Sequence, residues 1–164
     1  MNGQDCYTID EAHLLFAKRT NGRVWELLDK PTRTQAEDEE MLHAAHASLY
    51  HWLQMGTALN HQRGLWMIAR VHVVLNNPAE ALRYANRCLE LTEQHRDLME
   101  DFDIAFAYES MARASALAGE RQQARRYHQL AEQAGQAIVD QEDRDIFIAD
   151  LLSANLVFNI GRET

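Results

Sequence analysis

Apolar residues recur along most of this chain at intervals of three and four, the period of a helix with one buried face. Nowhere do five residues alternate apolar and polar between turn signals, so the pattern predicts helices and no strand. Leu42, Ala45, Leu49, Trp52 and Leu53 form one such stripe, and residues 65–75 are apolar on nearly every side, which marks a central helix. The ends of the elements are equally legible. Thr8-Ile9-Asp10-Glu11 and Thr34-Gln35-Ala36-Glu37 both have the Thr-x-x-Glu form of a capping box, so helices should start near residues 9 and 35. Pro31 lies in the polar connection between them, and Gly56 is expected to close the second helix in the left-handed conformation that glycine adopts cheaply. A third helix is predicted over about 58–75, then a turn at Asn76-Asn77-Pro78 and a fourth to about His95. Three more follow, over about 101–118 with a stop at Gly119, about 121–138, and 140–159.

The pattern repeats. A slide of 43 residues sets Ile68-Ala69-Arg70 over Met111-Ala112-Arg113, Ala81 over Ala124, and Arg83-Tyr84 over Arg126-Tyr127. A slide of 42 sets the stretch beginning Asp101-Phe102-Asp103-Ile104 over that beginning Asp143-Arg144-Asp145-Ile146, so the seventh helix reads as the first helix of a pair without its second. Each pair places a small residue late in its first helix (Ala69, Ala112), Asn76 or Gly119 at the turn, Ala81 or Ala124 early in the second helix, and Cys88 or Ala131 seven residues on. This arrangement resembles a degenerate tetratricopeptide (TPR) repeat over about residues 58–159. Ala85 and His128 stand where the family usually carries an aromatic, and the spacing exceeds the family's period of ~34 residues. The resemblance implies an all-α fold of about seven helices, in antiparallel pairs stacked as a short right-handed solenoid.

Composition narrows the class. The chain has 164 residues, 46% of them hydrophobic, with only 7 Gly and 2 Pro, enough for one domain over 1–164 to build a core without a staple. It would comprise an N-terminal hairpin (1–56), two TPR-like pairs (57–138) and a capping helix with its tail (139–164). Cys6 and Cys88 form no CxxC, which points to a reducing compartment. No leader or membrane span is apparent, and a cytoplasmic protein is expected. Lys and Arg number 16 against 25 Asp and Glu, a net charge of −9 that argues against nucleic-acid or membrane partners.

Chemistry is sparse. There is no GxSxG, no HExxH and no glycine-rich phosphate loop, so a non-catalytic module without cofactor or metal is expected. In a TPR-like array the first helices of the pairs line a concave groove for a protein or peptide partner. Asn60, Arg63, Trp66 and Arg70 from the third helix, and Asp103, Phe106, Glu109 and Arg113 from the fifth, are its expected lining. Asp145, Ile148, Leu151, Leu152 and Asn155 would continue it on the cap. Arg70 interrupts an apolar helix and needs an anion. The internal choice is Glu109 or Asp103, with Glu109 also paired to Arg113; the external choice is a ligand carboxylate or phosphate. A second function class is a metal- or anion-binding enzyme or sensor that joins His43 and His46 to Asp103 or Glu109, although only one Glu-x-x-His unit, Glu40 to His43, is present. His72 among valines reads as a core histidine bonded to a carbonyl, and Arg121, Arg125 and Arg126 as a solvated face. A third class is a homodimer, because the last helix carries more apolar residues than one packed face needs: Ile146, Phe147, Ile148, Leu151, Leu152, Leu156, Val157, Phe158 and Ile160.

Overall fold

The computed structural model describes residues 6–158, with side chains through Ala154. These form α1 (Ile9–Leu28), α2 (Gln35–Met55), α3 (Ala58–Val74), α4 (Pro78–Gln94), α5 (Asp101–Leu117), α6 (Arg121–Gln136) and α7 (Gln141–Phe158), with a 3₁₀ turn at Arg96–Leu98 before α5. No strand occurs among the described residues, and the helix ends fall within a few residues of those read from the pattern. The chain divides into two compact units, Met1–Gly64 and Leu65–Thr164.

The first unit is built on the α1·α2 hairpin. Both capping boxes form: Thr8 N–H donates to Glu11 at 2.8 Å and Thr34 N–H to Glu37 at 2.8 Å, and each hydroxyl accepts the return bond. Each cap supplies about 1 kcal/mol by satisfying N–H groups that have no partner within the helix. Ala17, Val24 and Leu27 of α1 and Met41, Ala45 and Leu49 of α2 are buried, and the Ser48 hydroxyl donates to the Ala17 carbonyl at 2.9 Å. Gly56 does end α2, but not as expected. Its backbone is extended (φ −86°, ψ 178°) rather than left-handed. Space is the reason for glycine there, since a Cβ would stand 2.7 Å from the Trp52 carbonyl oxygen.

In the second unit α5 packs against α4, α6 and α7. Its alanines at 105, 107, 112 and 114 are buried, and their short side chains let neighbours approach on several sides. The helices α4 and α6 bury one stripe each, with Ala81, Ala85, Cys88 and Thr92 in α4 and Ala124, His128, Ala131 and Gly135 in α6. These are the same positions 43 residues apart. The turns repeat too. Asn76 (φ 57°) and Gly119 (φ 78°) are both left-handed. Asn77 N–H donates to the His72 carbonyl and Glu120 N–H to the Ser115 carbonyl, each at 2.9 Å, closing α3 and α5 with the same six-residue bond.

An aromatic cluster completes this core. The Phe106 ring meets Trp66, Phe102 and Phe147 edge-on, with centroids at 5.4, 4.7 and 5.0 Å. Phe147 enters through α6, where Gly135 leaves the gap its ring fills. Phe147 and Leu151 are therefore core residues of their own chain and not free for a dimer contact. Leu156, Val157, Phe158 and Ile160 lie outside the described side chains, as does Asn155.

Candidate functional site: a buried four-charge network

Arg70 interrupts the apolar run of α3, and the structure gives its guanidinium a partner that the pattern did not reveal. Its two terminal nitrogens bond the two carboxylate oxygens of Asp150 on α7, at 2.8 and 2.7 Å. Glu109, anticipated as its partner, stands farther off at 3.9 Å. Asp103 serves the start of α5, where its carboxylate accepts from the Glu100 N–H.

The i,i+4 pair on α5 forms as expected. Arg113 Nε donates to Glu109 at 2.5 Å, while its terminal nitrogen donates to the Asp150 carbonyl at 3.1 Å and lies 3.4 Å from the Asp150 carboxylate. Two cations and two anions thus close a neutral cluster across α3, α5 and α7. Glu109 is 1% exposed, and its second oxygen has no hydrogen-bond partner among the described residues. Burial pushes the Glu109 carboxyl above its ordinary range, against the opposing pull of Arg113 and Arg70. Burial also opposes the charge on Arg70, but the bonds to Asp150 and the charges of Glu109 and Asp150 outweigh it and raise its pKa.

The solvent edge of the cluster is formed by Arg70 and Asp150, each 20% exposed. Trp66, half-buried, places its ring centroid 6.0 Å from the Arg70 guanidinium carbon. An incoming carboxylate or phosphate would therefore meet Arg70 first and would have to displace Asp150 to use it.

Of the residues read as groove lining, Trp66, Arg70, Phe106, Glu109 and Arg113 come together here. Asp103, Phe106, Glu109 and Arg113 are buried. Asn60 and Arg63 belong to the first unit, where Asn60 accepts from the Thr57 N–H at 3.0 Å and Arg63 is exposed. On the cap, Ile148 and Leu152 are exposed and Leu151 is buried. His72 is buried as anticipated, its ring stacked on Tyr84 at 5.6 Å. Arg121, Arg125 and Arg126 are exposed on α6 beside Gln122 and Gln129, around a shallow concavity.

His43 is exposed and His46 half-buried on α2. Among the described residues no group of three or more His, Cys, Asp or Glu side chains is placed to hold a metal ion together. Nor is any described helix long and apolar enough to cross a membrane. Asp150 was missed, yet its signal was the one that singled out Arg70: a lone charge inside an apolar run, here Phe147-Ile148-Ala149-Asp150-Leu151-Leu152. Comparison with known proteins returns no matching family, curated protein or solved structure.

Proposed function

We propose that this chain is a non-catalytic interaction module of TPR-like helix pairs, which receives a partner segment or small anionic ligand on the face carrying Trp66 and Arg70. The carrying observation is the 43-residue register, kept in helix limits, buried stripe and turn bonds of successive pairs. Repeated pairs of this kind display an extended surface built from their first helices. The charge cluster supports the same reading. Its carboxylates are paired with arginines, while Arg70 keeps access to water. Selection from a random peptide library tests this. Acidic peptides should be enriched on wild-type protein and should bind Trp66→Ala at least about tenfold more weakly, as for loss of an aromatic anchor. Equal binding to the variant, or no enrichment, overturns the reading.

A homodimer is a second reading, favoured by Ile148 and Leu152, which lie one turn apart on α7 and are 42% and 56% exposed. Light scattering should then give twice the 18.9 kDa chain mass, and Ile148→Glu with Leu152→Glu should restore the monomer. A wild-type monomer at micromolar concentration rejects it.

A further inference from the structure

The α1·α2 hairpin brings together two histidines 38 residues apart, and the network above does not use them. His13 Nδ1 lies 2.9 Å from His51 Nδ1, with ring centroids 5.0 Å apart and planes inclined by 54°. Both rings are half-buried. They are flanked by aromatic rings, Phe16 at 5.4 Å from His51 and Tyr50 at 5.4 Å from His51 and 6.3 Å from His13. These neighbours restrict the imidazoles while leaving them open to solvent, since Tyr50 and Phe16 are themselves exposed.

At 2.9 Å the two nitrogens share one proton, one ring donating and the other accepting. Moving that proton to the far nitrogen of its own ring is a tautomer change with no net charge. It leaves a lone pair on each of the two facing nitrogens. A transition metal bonded to imidazole at ~2.0–2.1 Å spans a nitrogen separation of ~2.9 Å at a right angle and ~3.3 Å at the tetrahedral angle. The observed separation thus suits neighbouring positions of a tetragonal ion, and tetrahedral geometry needs only a few tenths of an ångström of opening. Burial, with His13 adding to it, lowers the pKa of His51 and so keeps its imidazole neutral toward lower pH.

We propose that His13 and His51 form a two-imidazole site for a divalent transition metal, Cu²⁺ or Ni²⁺ before Zn²⁺, that clasps α1 to α2 and leaves its other positions to water or an outside donor. The metal order follows from two nitrogen ligands in cis geometry and from the general affinity series. No carboxylate joins the pair as a third ligand among the described residues, which disfavours Mg²⁺ and Ca²⁺.

The test is calorimetric titration of CuCl₂ or NiCl₂ into protein without a histidine tag, near neutral pH in a non-coordinating buffer. Wild type should bind one equivalent and melt at a higher temperature with metal. His13→Ala and His51→Ala should each weaken binding at least about tenfold and abolish the thermal shift. Melting in chelator shows that each variant is folded, and His13→Gln repeats the measurement with a side chain of similar bulk. Affinity that survives both alanine substitutions, or that falls instead with His43→Ala, overturns the assignment.

Discussion

Arg70 and Asp150 face each other through two parallel hydrogen bonds, 2.8 and 2.7 Å long, although 80 residues separate them in the chain. This pair fastens α7 to α3 at the edge of the charge cluster, while Arg113 and Glu109 occupy its interior.

The two arginines should therefore differ in cost. Arg113→Ala abandons Glu109 at 1% exposure and should destabilise by about 3–5 kcal/mol, as for a buried pair with one partner removed. Arg70→Ala leaves Asp150 partly in water with Arg113 still 3.4 Å away, and should cost less, about 1–3 kcal/mol. Urea unfolding measures both. The reverse order would mean that Asp150, and not Glu109, is the carboxylate most dependent on its partner.

Two glycines in helices should respond oppositely to alanine. Gly22 on α1 has nothing within 4 Å of an added Cβ, so Gly22→Ala should stabilise by about 0.5–1 kcal/mol through helix propensity and chain entropy. At Gly135 the same Cβ would overlap the Phe147 ring, and the strain of moving it, about 1–3 kcal/mol, exceeds the propensity gain. Thermal melts of the two variants should shift in opposite directions.

The capping box of α2 carries a pH signature. Lys30, then the Thr34 N–H, hold the Glu37 carboxyl down to about 2 from an ordinary 4.5. A carboxyl lowered on folding contributes stability that is complete above its unfolded value and lost as pH falls through the folded one. The difference in melting temperature between wild type and Glu37→Gln should thus be widest above about pH 5 and should close toward about pH 2. Because Glu37 lies at the surface, added salt should narrow it as well. A difference that does not vary with pH would show that the carboxylate charge plays no part in the cap.

Thiol reactivity should separate the cysteines. Cys6 is exposed, whereas Cys88 is fully buried in the α4 stripe, where burial pushes its thiol well above the ordinary range. A colorimetric thiol reagent should titrate one group per native chain and two per denatured chain. Rapid native reaction of both would show that α4 opens readily from its neighbours.

Helix limits, capping boxes, the turns at Asn76 and Gly119 and the 43-residue register were legible in the sequence because each depends on residues within a few positions of one another, whereas the left-handed backbone expected at Gly56 is found at those two turns instead. Thr34 and Glu37 meet in any chain that starts a helix there, and Asn76 and Gly119 are among the few residues that accept a positive φ. The need for an anion near Arg70 was legible as well, since a guanidinium in an apolar run must be paired. Which anion it met was not. Asp150, Glu109 and Asp103 all satisfy the charge rule, and only the packing of α7 against α5 and α6, set by the fit of Phe147 over Gly135, decides which reaches Arg70. The same holds for His13 and His51, whose approach depends on the rotation of α1 about its axis against α2. A helix turns 100° per residue, so the pairing of two long-range side chains follows from how whole helix faces interlock, a property that no local pattern contains.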